Sequence, residues 1–220
     1  MRELKTDAGS QTLSRGLTAL ELIGNATGSL SVAELSEQLG IHRSMTYRLV
    51  KTLEQHGFVT KTDSGMLKLG IRLASLARGV SKTVQEAAAP ELEALAEEFG
   101  MTAFLASFDG EQVVTLSSAE PRHAPTTVAK KPGTRHEIDR GAPGHVIRSL
   151  LNPEQYPPQR YEFSQDEVIP GIAAISVPLV IAGEQPSALS VIYLPHDVDK
   201  EHIANELLAS AARITRATGQ

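Results

Sequence analysis

Residues 31–58, which read SVAELSEQLGIHRSMTYRLVKTLEQHGF, decide the fold of the N-terminal part of the chain. Ser31 and Glu34 have the spacing of a capping box, in which the Ser31 hydroxyl accepts the Glu34 amide and the Glu34 carboxylate accepts the Ser31 amide. A short helix through Leu39 follows, and Gly40 is typical of the left-handed residue that ends a helix. The stretch therefore predicts two short helices joined by a tight glycine turn.

The second helix of this pair, predicted over residues 43–57, has two distinct faces at ~100° per residue. Its inward face carries Thr46, Leu49, Val50 and Leu53. Its outward face carries Ser44, Arg48, Lys51 and Gln55, with Tyr47 at the flank. A polar, cationic outer face held by an apolar back is what a helix that reads the DNA major groove requires. A helical hairpin that binds another protein has similar helices, so periodicity alone leaves both interpretations open.

The flanking segments complete a winged helix-turn-helix. Apolar spacing predicts a helix from Ser14 that ends near Gly24. Two strand-like runs within residues 58–69 surround a turn and predict a β-hairpin, the wing. We therefore divide this half of the chain into a flexible leader over residues 1–12, a winged helix-turn-helix domain over 13–69 and a connector helix over 70–82.

Residues 83–220 predict an α+β domain in which helices cover one face of an antiparallel sheet. Turns at Asp109-Gly110 and at residues 182–184 separate strand-like runs, and residues 126–131 predict a further strand. Helical patterns occupy residues 84–100, 141–151 and 200–218.

Charge is distributed unevenly between the two halves. Residues 1–82 hold eleven Lys and Arg against seven Asp and Glu, whereas residues 83–220 hold ten against nineteen. A basic segment in an acidic protein suits a nucleic-acid binder, because phosphate contacts act locally. Aromatic residues make up 4% and tryptophan is absent, which argues against stacking platforms for single strands and favours duplex DNA.

Other features of the composition exclude several classes of protein. The absence of cysteine excludes a disulfide framework, a thiol nucleophile and a Cys-ligated metal site. The N-terminus lacks the apolar core of a signal peptide, and no stretch reaches the ~20 apolar residues that span a bilayer. We therefore expect a cytoplasmic protein without membrane contact.

Three stretches resemble the isocitrate-lyase-regulator (IclR) family of bacterial transcription factors: SRGLTALELI at 14–23, SVAELSEQLGIHRSMTYRLVKTLEQHGFV at 31–59 and LKLGIRLASLA at 67–77. The resemblance implies that Ser44, Tyr47 and Arg48 lie at the groove of an operator duplex. It also implies that Arg15, the helix start at Ser31, and Lys61 lie near phosphates. The expected DNA-binding set is Arg15, Ser31, Arg43, Ser44, Tyr47, Arg48, Lys51 and Lys61.

The second half is similar to the effector-binding domain of that family, a GAF/profilin-like antiparallel sheet, most clearly in PGIAAISVPLVIAGEQPSALSV at 170–191 and GAPGHV at 141–146. The resemblance implies a pocket for a small-molecule effector. Amides at the helix start after Gly141, together with Arg135, could bind a carboxylate on that effector. The expected pocket residues are Arg135, His136, Asp139, Gly141, Ala142, Ser164, Ala174, Ser190 and Ile192.

The pocket segment also departs from the family pattern. Asp139 stands where the family usually has His, His145 where it has Lys, and Ala174 where many members have Cys. The stretch between Leu151 and Tyr161 is shorter than usual. The resemblance therefore predicts where the pocket lies but does not identify its ligand.

Two other functions compete with a DNA-binding regulator. A protein-binding adaptor would use the same helical hairpin, and an enzyme or metal site would use residues His136, Glu137, Asp139, Arg140 and His145. The spacing of that cluster matches no helical two-histidine motif or nucleophile elbow, and there is no phosphate-cradling loop. We therefore expect no enzyme activity, no cofactor and no metal.

A winged helix reads few base pairs alone, so a homodimer is expected. The connector helix would supply the interface through Leu73, Leu76, Ala77 and Val80, and the family resemblance leaves a dimer of dimers open.

Overall fold

Helices and one β-hairpin build the N-terminal unit of the computed structural model, which describes residues 9–26, 28–77, 79–124 and 126–219. The chain divides into two units between Val80 and Ser81. The elements of the first unit are α1 (Gln11–Asn25), α2 (Val32–Leu39), α3 (Arg43–Gln55), β1 (Val59–Lys61), β2 (Leu67–Leu69) and α4 (Arg72–Ala77).

The first helix begins earlier than its apolar pattern indicates. Ser10 caps α1 by accepting the Leu13 amide at 3.4 Å, so Gln11 and Thr12 are helical and do not belong to a leader. Residues 1–8 of the expected leader lie outside the described residues. Helix α1 begins before the expected boundary because its cap depends on a single serine, which the apolar pattern does not reveal.

The capping box and the glycine turn of the helix pair are both present. The Glu34 amide donates to Ser31 Oγ at 3.2 Å, and the Ser31 amide donates to Glu34 Oε2 at 2.8 Å. Gly40 has φ 62° and ends α2 in the left-handed conformation. Helix α3 stops at Gln55, two residues before the expected end at Gly57, with His56 as its cap.

The segment between the units is not the single connector helix expected over residues 70–82. Helix α4 covers only Arg72–Ala77, and the next helix starts at Lys82 in the second unit. Ser81 between them has φ 42°, a left-handed conformation that no continuous α-helix contains.

The second unit is an antiparallel sheet with helices on both of its faces, whereas the sequence predicted helices on one face. Its elements are α5 (Lys82–Phe99), β3 (Thr102–Phe108), β4 (Val113–Ala119), β5 (Arg135–His136), α6 (Ala142–Leu151), β6 (Glu162–Gln165), β7 (Ala173–Leu179), β8 (Ser187–Tyr193) and α7 (Lys200–Ala217). The strand order is β5-β4-β3-β8-β7-β6.

Alternate residues of the central strands face two different cores. Leu105 and Leu189 belong to the core that α5 and α7 cover. Phe104 and Ile192 belong to a second core that includes Ile147 of α6. Helix α6 therefore shields the face that was expected to be open.

The strand expected over residues 126–131 is absent from the described part of that segment. The edge strand is instead β5, which pairs through Arg135 with Val114 and through His136 with Val113. Among the residues that the structure describes, no helix combines the length and the apolar character needed to cross a membrane.

Candidate functional site

Helix α3 presents its polar face outward because its other face is buried in the first unit. Thr46 and Val50 are completely buried, and Leu49 is buried beside them. The opposite side chains, Ser44, Arg48, Lys51 and Gln55, are all exposed. The structure thus places the predicted polar stripe on one accessible surface.

The start of α3 is held by His42. Its Nδ1 accepts the Ser44 amide at 3.3 Å and lies 2.9 Å from Ser44 Oγ. Arg15 of α1 also reaches this end of the helix, where its Nη1 contacts Met45 Sδ at 3.4 Å. The structure therefore brings Arg15 and the exposed Arg43 to the same end of the α3 surface.

Tyr47 is 52% exposed. Its ring is therefore available beside Ser44 on the α3 surface, together with Arg48.

Two of the residues expected near phosphates have partners inside the protein. Lys61 Nζ lies 2.8 Å from Glu54 Oε2, so the wing lysine carries a counter-charge from α3. The Ser31 hydroxyl and amide are both used by the capping box. Sequence reasoning missed Glu54 because its contact with Lys61, seven residues later in the chain, gives no periodic signal.

In the second unit, the first two amides at the start of α6 have partners within the protein. The Gly141 amide donates to Glu167 Oε2 at 2.8 Å, and the Ala142 amide donates to Ser164 Oγ at 2.8 Å. Glu167 Oε2 also lies 3.1 Å from His145 Nε2. A protein carboxylate therefore occupies the position where the sequence predicted that an effector carboxylate binds.

A cavity of about 30 Å³, enough for about one water molecule, lies beside this helix start. Part of the predicted set lines it, namely His136, Gly141, Ser164, Ala174 and Ile192. Gly141 has φ 78°, and a Cβ there would lie 2.8 Å from Val168 Cγ2, so this wall of the cavity requires glycine.

The other four predicted pocket residues do not line the cavity. Arg135 Nη1 pairs with Asp109 Oδ2 at 2.9 Å, and Asp139 Oδ1 lies 3.4 Å from Arg148 Nη1. Ser190 Oγ is buried 2.7 Å from Ser176 Oγ, and Ala142 is buried. Arg135 and Asp139 are thus engaged in ion pairs outside the cavity, which corrects the expected outline of the pocket.

Sequence reasoning missed Lys130, the cation of this cavity. Lys130 is only 8% exposed, and its Nζ lies 5.3 Å from the centre of the Phe104 ring. Burial lowers the pKa of its ammonium group. Burial also lowers the pKa of His136, and the nearby Lys130 charge lowers it further. The adjacent Lys131 is exposed, and nothing in the sequence marks which lysine of the pair turns inward.

The cluster considered for an enzyme or metal site comes together only in part, because His136 is close enough to His145 to interact with it electrostatically whereas Asp139 pairs elsewhere. His145 faces Glu167, and Asp139 faces Arg148. In the ranges that the structure describes, no group of three or more His, Asp or Glu side chains is placed to hold a metal ion.

Comparison with known proteins agrees with this geometry. The sequence profile of the IclR helix-turn-helix domain matches residues 12–63. The DNA-binding transcriptional repressor YiaJ of Escherichia coli is 27% identical over 77% of the chain, and the match spans 61% of that relative's length. Residues 12–63 therefore form an IclR-type helix-turn-helix domain, and the chain is similar to regulators of the IclR family. The relatives found are transcriptional regulators rather than enzymes, as the sequence predicted.

Solved structures of IclR regulators have the same fold. The crystal structure of an IclR regulator from Alicyclobacillus acidocaldarius superposes with a TM-score of 0.81 at 22% identity, covering 96% of this chain and all of the other. An IclR homologue from Microbacterium hydrocarbonoxydans, complexed with 4-hydroxybenzoate, has a TM-score of 0.80 at 18% identity, covering 94% and 99%. These likenesses establish the fold.

The second unit also has a larger cleft, of about 480 Å³, at another place on the sheet. Phe99, Met101 and Tyr193 contribute to its walls. Of the nine predicted effector residues, Ile192 alone reaches it. The buried Lys130 and two of the predicted polar residues, His136 and Ser164, lie at the smaller cavity, which is therefore the better candidate for effector recognition.

Proposed function

We propose that this chain binds operator DNA through α3 and regulates transcription in the cytoplasm in response to a small molecule. The observation that carries the proposal is the α3 surface, where exposed Arg48 and Lys51 stand opposite the buried Thr46 and Val50. Because the back face is locked in the core, the cationic face has a fixed orientation, as a groove-reading helix needs.

Operator binding is tested by selecting duplexes from a random pool and measuring the affinity of the selected and scrambled duplexes at two salt concentrations. We expect a preference for the selected duplex and a loss of affinity for both duplexes as salt rises. If the folded protein binds neither duplex, the helical hairpin is a protein-binding adaptor and the proposal fails.

We propose that the effector binds at the cavity beside α6. His136, Gly141 and Ser164 converge there with the buried Lys130. The relative that was solved with 4-hydroxybenzoate supports a carboxylate-bearing effector, since it shares this architecture. Thermal shift with a panel of aromatic acids, keto acids and amino acids tests the proposal, because a ligand that binds the folded state raises its melting temperature. A panel without any shift would oppose it.

We also propose that the chain acts as a homodimer. Helix α4 buries none of its residues, and Leu76 is 58% exposed beside the predicted interface positions Leu73, Ala77 and Val80. Apolar surface of this kind is commonly covered by a partner. Light scattering is expected to give twice the monomer mass, or four times for a dimer of dimers, and Leu76→Glu is expected to shift the mass towards the monomer. A wild-type monomer at micromolar concentration would refute the dimer.

A further inference from the structure

Lys130 is a buried cation whose natural partner is an anion that the protein itself does not provide. At 8% exposure most of the Lys130 side chain has been removed from solvent, and its Nζ lies 5.3 Å from the centre of the Phe104 ring rather than beside a carboxylate. Within the described ranges Lys130 forms no ion pair, and burial accounts for the lowered pKa of its side chain. A buried charge without a counter-ion is costly, and an incoming anion removes that cost.

The charges around the cavity are arranged as two poles. His136 lies near Lys130, and their mutual repulsion contributes to the lowered pKa of His136. At the other pole Glu167 receives the Gly141 amide and faces His145, while Arg140 donates to the Glu167 carbonyl. The pole at Lys130 and His136 therefore attracts an anion, whereas the other pole already holds the Glu167 carboxylate.

The remaining walls of the cavity are apolar. Phe104, Pro143 and Ile192 come from the sheet and from α6, whereas Val168, Ile169 and Ile172 come from the turn between β6 and β7. Ile169 of that turn is 43% exposed. A cavity of about 30 Å³ is smaller than a metabolite, so a bound effector would have to displace part of its wall, and the exposed turn is the outermost part.

We propose that the effector is a monocarboxylate on a compact apolar body, that Lys130 Nζ pairs with its carboxylate, and that Glu167 selects against a second carboxylate. This inference rests on the proposed effector function and names the chemistry of that site. The carboxylate gains a counter-ion on the largely buried Lys130 side chain, and the apolar body fills the space between Phe104 and the turn. A dicarboxylate would bring a second anion towards Glu167, where like charges repel.

The experiment uses calorimetric titration of the full chain with benzoate, hexanoate, benzamide and terephthalate. We expect wild-type protein to bind at least one monocarboxylate at least about tenfold more tightly than benzamide or terephthalate. Lys130→Met should weaken that monocarboxylate at least about tenfold, whereas Lys131→Met, which removes the exposed neighbouring charge, should leave its affinity unchanged. Glu167→Gln should reduce the difference in affinity between terephthalate and the monocarboxylate.

Each contrary result overturns a defined part of the inference. Binding of neither monocarboxylate by wild-type protein, or equal affinity in Lys130→Met, refutes the anchor. Equal binding of terephthalate and the monocarboxylate refutes the role of Glu167. If circular dichroism shows that Lys130→Met does not fold, the wild-type protein still tests the anchor. Equal affinity of the wild type for benzoate and benzamide is then enough to refute it. Operator affinity measured on the same samples without ligand tests the proposed DNA binding separately.

Discussion

Arg135 and Asp109 form an ion pair between the edge strand β5 and the turn after β3, with Nη1 and Oδ2 2.9 Å apart. Burial alone would raise the pKa of Asp109, but the amides of Gln112 and Glu111 and the Arg135 charge lower it. Arg135 therefore has a structural partner at the β3–β4 turn, and Lys130 replaces it as the candidate contact for an anionic effector.

Arg135→Ala is expected to cost ~0.2–1 kcal/mol of unfolding free energy, since 45% of the Arg135 side chain is exposed and solvent screens the pair. Effector affinity should stay as in the wild type because the cavity loses no lining residue. Urea unfolding and ligand titration of the same variant measure both quantities. A loss of effector binding without a change in stability would return Arg135 to the pocket.

Arg48 and Lys51 occupy one exposed stripe of α3 but are expected to make different contacts with DNA. Arg48→Ala should cost ~1–3 kcal/mol of operator affinity and relax base preference at a defined position. Lys51→Ala should weaken all duplexes alike and lower the slope of log K against log salt by about one unit. Fluorescence anisotropy with operator and scrambled duplexes separates the two effects.

Lys131→Ala, which removes an exposed charge in the other unit, is the matched control for both variants. A change of base preference in Lys51→Ala, together with unchanged preference in Arg48→Ala, would show that the two roles are reversed.

Glu54→Gln is expected to strengthen DNA binding. The Glu54 carboxylate lies 2.8 Å from Lys61 Nζ and offsets the charge that the wing would bring to a phosphate. Removing that carboxylate should raise affinity for operator and scrambled duplexes by a similar factor and make the salt slope steeper. Glu37→Gln, an exposed change on α2, is the control. Weaker DNA binding in a folded Glu54→Gln protein would mean that the ion pair positions the wing.

The ion pair between Glu91 of α5 and Arg213 of α7 is expected to lose its contribution to the free energy of unfolding in acid. Arg213 Nη2 lies 2.7 Å from Glu91 Oε2, and its Nε contacts both carboxylate oxygens. These hydrogen bonds hold the pKa of Glu91 below its ordinary 4.5. The unfolded chain thus takes up the proton first, so this contribution is present above about pH 4.5 and is lost as pH falls through the folded-state pKa.

The measurement is the free energy of unfolding in urea between about pH 6 and pH 3. Glu91→Gln should be less stable near pH 6 and lose less stability on acidification than the wild type. Glu86→Gln on the same helix, whose Glu86 side chain is 67% exposed, is the control and should follow the wild-type curve. Parallel curves for wild type and Glu91→Gln would exclude a contribution from this pair.

The sequence by itself determined the features that depend on neighbouring residues. The Ser31–Glu34 capping box, the Gly40 stop and the two faces of α3 all follow from spacings of a few residues, and the structure has each of them. Local hydrogen bonds and helical periodicity act over that distance, so the pattern of residue types is enough to reveal them.

Tertiary structure decided the features that depend on distant residues. The inward turn of Lys130, the Glu167 carboxylate on the Gly141 amide and the Arg135–Asp109 pair each join segments about 26 residues apart. Which lysine is buried and which carboxylate reaches a helix start are set by the packing of α6 and the sheet. Charge pairing over such distances leaves no periodic trace, because the free energy of each contact depends on the burial that the whole domain creates.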